Sequence, residues 1–471
     1  MTTLTSLVAL INATRVVDDL AALRSFGATG GGQWGHGVSR RGLSEADVAA
    51  RRWVAERFAA AGLRRVHLDG IGSVYGEGGD DGVPALLMGS HTDTQPEGGW
   101  LDGALGVAFA IEAARVLHAG NAPGAWAIAD WQDEEGRFGT LTASSAFAAP
   151  RADSLPTVHS PHALDAARAD AGLRERPILW HGTARAAGWR GYLEAHIEQG
   201  PMLERENATL GVVSSIVGLR QLVISCAGEQ NHAGSTRMAD RKDATLAAMR
   251  LAVALDDALR ALCAAEESAV LGEESAAVSA AAHGCLAVWT FSNLEGFVSH
   301  STVPGSANLT LQFRAPEEAS LERMERAVRT LVRAAPGPVQ CGVRLARESV
   351  RAMRMDEGLR ACVAAAAEAA VDAEEGADGR VGERSRVRRM HSAAIHDAAP
   401  LADVMPAAML FVPSVRGVSH SFDEHTHEAD IRDGATAFVA AAARVVLGHP
   451  CAGPLAHEAS AVGAPGRCDE H

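Results

Sequence analysis

The feature that most narrows the fold is an alternation of short, wholly apolar runs with longer stretches of helical period. PALLMGS (84–90), GAWAIADW (124–131) and the run up to Leu193 are too short for ordinary helices and carry little polar alternation. That is the pattern of strands buried on both faces. AAMLFVPS (407–414) is another. Between the first two, Gly103 to His118 places Leu105, Phe109, Ala113 and Leu117 at helical spacing and is closed by Gly120. Strands alternating with helices predict an α/β sheet, in which sites gather beyond the carboxyl ends of the strands.

The texture changes from about residue 213. LRQLVISCAG alternates as a half-exposed strand does, residues 242–265 read as a long Ala/Leu helix, ANLTLQFRA alternates again, and 320–334 reads as a second helix. This predicts a smaller α+β domain over 213–351, inserted between a first part over 1–212 and a second over 352–450 of the larger α/β domain. Residues 264–283 are rich in Ala, Glu and Ser and fit either a helix extension or a loose loop. Residues 372–389 are charged and irregular, and the tail 451–471 has no apolar period, as expected of a flexible end.

A formal net charge of −15 argues against a nucleic-acid or anionic-membrane partner. The start of the chain lacks the basic segment of a signal peptide, and no apolar run reaches the roughly 20 residues needed to span a bilayer. The seven cysteines are scattered and form no CxxC pair. Together these features predict a cytoplasmic protein with reduced thiols.

Polar residues with metal-binding chemistry recur where the apolar runs end. In GSHTDTQPEGGWLDG, His91 directly follows a strand and Asp102 stands at the mouth of a helix. An imidazole and a carboxylate there suit a borderline divalent ion, and Asp93 is placed to hydrogen-bond His91 and fix its tautomer. In WQDEEGRFG, adjacent acids beyond a buried strand are costly unless a cation neutralises them. Adjacent side chains diverge on an extended backbone, so one of Glu134 and Glu135 can bind metal while the other handles protons. YLEAHIEQGP places His196 at a strand end, and FVPSVRGVSHSFDEHTHE places His420 in the turn after one. His425 and His427, in a more polar stretch, read as surface residues. His232 in GEQNHAGSTRM, and His391, His396 and Asp397 in HSAAIHDA, read by themselves as structural. Taken singly, each segment fits a solvated loop as readily as a ligand. The order His, Asp, Glu-Glu, His, His at separate strand ends is what points to a shared metal centre.

In combination, GSHTDT with GGWLDG, DEEGRFG, EAHIEQGP and HAGSTRM resemble the hydantoinase/carbamoylase branch of the dinuclear-zinc aminoacylase and carboxypeptidase superfamily, over about residues 10–448. That branch includes N-carbamoyl-L-amino-acid hydrolases, β-ureidopropionases, and allantoate and ureidoglycolate amidohydrolases. The resemblance implies a catalytic α/β domain interrupted by a dimerisation and lid domain. It implies two divalent ions per subunit, zinc first, with manganese, cobalt or nickel as alternatives. His91, Asp102 and His196 would hold one ion and Asp102, Glu135 and His420 the other, with Glu134 as catalytic base. It further implies a homodimer in which His232 reaches the partner's active site, with Arg314 holding a substrate carboxylate and Gln199 near the substrate. Four departures stand out. The glutamate motif reads EEGRF, one residue shorter than usual; Arg237 replaces a customary proline; Ser301 stands where relatives have a substrate-contacting asparagine; and SAAIHDA replaces SGAGHDA. None removes an expected ligand.

The expected reaction is hydrolysis of the ureido C–N bond of an N-carbamoyl-L-amino acid. Allantoate or ureidoglycolate is the alternative substrate, and a dimeric metal-binding protein without activity is the remote one. An intact Glu134 argues against the last, because a structural site has no use for a free carboxylate.

Overall fold

A computed structural model describes residues 2–182, 188–271, 287–296, 299–346, 349–378 and 387–449. The chain falls into two compact units, one drawn from Met1–Ser214, Met355–Met390 and His396–His471, the other from Ser215–Arg354 and His391–Ile395.

The first unit is built on a mixed sheet. Its strands run in the order Arg64–Leu68, Val74–Gly79, Ala125–Trp131, Ala85–His91, Trp189–Ile197, Ala407–Val412 and Leu210–Ile216. The middle four are mutually parallel, Val74–Gly79 and Leu210–Ile216 pair antiparallel on either side of them, and Arg64–Leu68 pairs antiparallel with Val74–Gly79. Ala85–His91, Ala125–Trp131 and Ala407–Val412 are buried along their whole length, as apolar runs without alternation require. The helix Ala104–Ala119 is apolar on nearly all sides and lies in the core with Ala13–Arg24 and Glu428–Val446. Because the four central strands are parallel, their carboxyl ends lie at one edge of the sheet, and His91, Trp131, Ile197 and Val412 are the last residues there.

The second unit has a four-stranded antiparallel sheet in the order Gln340–Leu345, Gly218–Ala227, Ser306–Ala315, Val288–Glu295. Alternate residues Leu222, Ile224, Leu309, Leu311 and Phe313 meet Leu251, Leu255, Met324 and Val328 of the helices Ala244–Leu271 and Glu318–Arg333. Cys226 and Cys341 face each other across the ladder with their sulfurs 3.2 Å apart.

One open alternative is resolved and two expectations change. The segment 264–283 continues the preceding helix as far as Leu271, and its remainder lies outside the described residues. The stretch 372–389 is ordered at both ends: the helix Glu357–Asp378 runs into it and the strand Val387–Ser392 begins within it, while 379–386 lies outside the described residues. Ala and Glu are strong helix formers, which is why charge alone misread that segment. Cys226, Cys263 and Cys341 are free, but Cys362 is disulfide-bonded, so the expectation of reduced thiols fails there. Sequence spacing is silent on a pairing set by tertiary proximity. The tail 451–471 lies outside the described residues. No helix among the described residues is long and apolar enough to cross a membrane.

Candidate metal centre

The carboxyl ends of the four parallel strands bring together residues far apart in the chain. Asp102 is the pivot. Its Oδ1 lies 3.5 Å from Nε2 of His91 and 3.1 Å from Nε2 of His196, while its Oδ2 lies 3.3 Å from Nε2 of His420. Glu135 Oε2 lies 3.5 Å from the same His420 nitrogen. Two ligand sets result, His91–Asp102–His196 and Asp102–Glu135–His420, each with its donor atoms within 4.8 Å of one another. One carboxylate faces a different set with each oxygen, the arrangement a bridging ligand requires.

Local backbone makes this possible. Asp102 lies in the loop that enters the helix Ala104–Ala119, and Gly103 follows it with φ of +64°. A Cβ at Gly103 would stand 2.4 Å from His91 Nε2, so any other residue would both strain the backbone and fill the ligand position. His91 Nδ1 lies 3.0 Å from the Asp93 carbonyl and His196 Nδ1 lies 2.9 Å from the Ile197 carbonyl. A carbonyl only accepts, so each Nδ1 carries the proton and each Nε2 presents its lone pair to the centre.

The expected role of Asp93 changes here. Its main-chain carbonyl meets His91 Nδ1, whereas its carboxylate is 3.9 Å from that nitrogen. The carboxylate instead pairs with the buried Arg51 guanidinium at 3.2 Å and accepts the Glu135 amide at 3.2 Å. Arg51 also meets Asp47 and Asp130 and donates to the Trp131 carbonyl. Asp93 thus orients the Glu135 segment. Gln95 completes that task, donating its own amide and its Nε2 to the two oxygens of Glu135.

Glu134 Oε2 lies 3.6 Å from His91 Nε2 and belongs to neither ligand set. Burial, then the neighbouring charges of Glu135, Asp397 and Asp102, hold its carboxyl well above the usual range. Burial and Asp102 likewise raise Glu135 to about 8. Burial pulls His91 down to about 3. The same burial acts on His196, but the hydrogen bond and charge of Asp102 outweigh it and lift His196 to about 9. The hydrogen bond to Asp102 does the same for His420, to about 9. Carboxylates crowded in a low-dielectric pocket are stable only with positive charge among them, and protons and divalent cations compete for that role. Three imidazoles with carboxylate oxygens form a donor set that fits borderline divalent ions.

The remaining sequence candidates divide into two groups. Gln199, with φ of +56°, donates from Nε2 to Asp102 Oδ2 at 2.9 Å and to Ser419 at 3.1 Å. His396, read as structural, has its buried ring 4.4 Å from that of His196, and Asp397 beside it accepts the Ser144 hydroxyl. His427 is exposed, as expected, but His425 is half-buried and stacks on Trp34 at 4.4 Å. In the second unit His232 is exposed, and its Nδ1 accepts the amides of Gly234 and Ser235, which leaves the proton on Nε2. The exposed Ser301 stands next to Thr302, which pairs with His232. Arg314 is half-buried and donates to the Ala393 carbonyl and to Gln312. His391 meets Ser215, and Arg237 is exposed and paired with Asp240. Sequence reasoning missed Arg51, Gln95, Ser419 and Glu424. An acid four residues after His420 is the only one of these with a local signal.

A mixed α/β sheet with two ligand sets at its carboxyl edge, sharing one aspartate beside a spare glutamate, defines a metal-dependent hydrolase. Residues 87–444 match the peptidase family M20/M25/M40, and the chain belongs to that family. It is 32% identical to an N-carbamoyl-L-amino-acid amidohydrolase of Paenarthrobacter aurescens, over 90% of this chain and 95% of the relative. It is 27% identical to the allantoate amidohydrolase of Escherichia coli strain K12, over 89% and 94% of the two chains. The crystal structure of a hydantoinase/carbamoylase family amidase from Burkholderia phymatum superposes with a TM-score of 0.75 at 37% identity, covering 93% of this chain and 98% of that one. The chain is an amidohydrolase, and its ligand cluster fits the dinuclear metal centre of the family.

Proposed function

We propose that the chain hydrolyses the ureido C–N bond of N-carbamoyl-L-amino acids. With one water consumed, the products are the L-amino acid, carbon dioxide and ammonia. The observation that carries the reading is the split of Asp102 between two ligand sets with Glu134 left outside both. The 32% identity to an N-carbamoyl-L-amino-acid amidohydrolase supports the substrate class.

His91, Asp102 and His196 would hold one divalent ion and Asp102, Glu135 and His420 the other, zinc first, with manganese, cobalt or nickel as the alternatives. Such ions supply Lewis acidity that polarises a carbonyl and acidifies water. Glu134 takes the proton of the attacking water and returns it to the leaving nitrogen, a service typically worth about 10²–10⁴-fold. Arg314 holds the substrate carboxylate through its planar fork. His232, with its Nε2 proton, donates to the developing oxyanion from the second subunit of a homodimer. An exposed apolar stripe on the helix Ala244–Leu271, formed by Leu246, Met249 and Val253, supports association through the second unit.

Allantoate is the second reading. It is supported by the 27% identity to an allantoate amidohydrolase, and Ser301, where relatives carry an asparagine, leaves the pocket open to it. Both substrates present a ureido group and a carboxylate, so the residues assigned so far do not separate them. Ammonia release from a panel of N-carbamoyl amino acids, allantoate and ureidoglycolate, with protein reconstituted with Zn²⁺ or Mn²⁺, decides between them. Turnover of allantoate alone would overturn the first reading.

A further inference from the structure

His420 differs from the other two histidines of the centre. Its side chain is 51% exposed where those of His91 and His196 are 1% exposed, and its backbone sits at φ of +51°. A non-glycine residue in the left-handed region is strained and persists only where its surroundings impose it. What imposes it lies in the next four residues. Glu424 is fully buried, and its Oε1 accepts the amides of both Leu101 and Asp102 at 3.0 Å. Its Oε2 accepts the Ser419 hydroxyl at 2.8 Å, and that hydroxyl oxygen lies 3.2 Å from Asp102 Oδ2. Gly99 lets the carboxylate in, since a Cβ there would stand 2.0 Å from Glu424 Oε1. From the other side, Asp423 accepts the Gln33 amide at 2.6 Å, and the Phe422 ring lies against Gly31 and Gly37.

We infer that Glu424 is a positioning residue which ties the loop of His420 to the loop of Asp102 and so sets the affinity of the Asp102–Glu135–His420 half of the centre. The inference rests on the two-ion reading above. His91 and His196 are oriented by the main-chain carbonyls of Asp93 and Ile197, independently of Glu424. Its loss therefore acts most on the ion of His420 and less on the other, which shares Asp102 but keeps two histidines held independently of Glu424. A purely structural acid would loosen both equally.

The test is titration of wild type, Glu424→Ala, Glu424→Gln and Ser419→Ala with Zn²⁺ against a chromophoric chelator. Hydrogen exchange of peptides covering 97–103 and 415–424 is followed in parallel without added metal. Groups that orient metal ligands commonly contribute 10–100-fold in affinity. Glu424→Ala should weaken the His420 ion by about 10–100-fold, weaken the His91–His196 ion clearly less, and speed exchange in both peptides. Glu424→Gln, which keeps an oxygen for the amides, should lose less. Wild-type affinities, equal weakening of both ions, or unchanged exchange in Glu424→Ala would each overturn the inference. Should that variant fail to fold, Glu424→Gln and Ser419→Ala decide by the same criteria. A wild-type protein that takes up one ion removes the two-ion reading; exchange in the variants then still decides whether Glu424 holds the two loops.

Discussion

The polar residues assigned to chemistry are held in opposite ways in the two units. In the first, His91, His196 and Asp102 are almost inaccessible, and each is fixed by main-chain or carboxylate partners. In the second, His232 is exposed on a two-stranded ladder with Ser301 exposed beside it, and Arg314 donates to a carbonyl and an amide oxygen. The difference separates two tasks. A cradle for multivalent ions has to be rigid before it is filled, because every misplaced donor costs affinity. Groups that meet a substrate are useful only where the substrate can reach them.

That contrast can be broken by four measurements. Glu134→Gln should lower kcat by about 10²–10⁴-fold while two ions per subunit remain bound. Turnover near the wild-type rate would remove Glu134 as the base. His232→Asn should slow the reaction on the order of 10²–10³-fold, again with full metal content. Mixed dimers of the Glu134 and His232 variants should regain activity, and verified heterodimers without it would rule out a shared site. Arg314→Lys should raise KM for carboxylate substrates about 10–100-fold, because a bidentate charged contact is lost. An unchanged KM would assign the carboxylate to another group.

The smallest effect concerns His425. Burial, with the nearby His36 and His427 adding to it, holds this imidazole at about 4. A histidine whose folded pKa lies below the ordinary 6.5 favours the fold above 6.5, and that contribution is lost as pH falls towards 4. His425→Phe, which preserves stacking on Trp34, should flatten the fall of Tm between pH 6.5 and 4. An unaltered slope would place the acid sensitivity elsewhere.

The central strands were legible in the sequence because a strand buried on both faces leaves an unbroken apolar run, as Ala85–His91 and Ala407–Val412 do. The candidate metal ligands could be picked out because they stand at, or in the segments that follow, the ends of such runs. What escaped was whatever acts across the fold. Arg51 sits mid-helix, where an arginine ordinarily faces solvent; only the folded sheet brings Asp93, Asp130 and the Trp131 carbonyl around it. Gln95 and Glu424 each hold a segment distant in the chain, so no local spacing announced them. Asp93 stood in the expected place but turned its carboxylate to Arg51, a choice fixed by a partner 42 residues away.

The outer strand Val288–Glu295 has a consequence for the chain in solution. Its sequence, VWTFSNLE, is β-prone, with no lysine or proline to blunt it and no charge before Glu295. Among the described residues its one ladder partner is Ser306–Ala315, which leaves the far side open. Such a rim is a template for further chains, and the usual outcome is filament growth or precipitation rather than quiet unfolding.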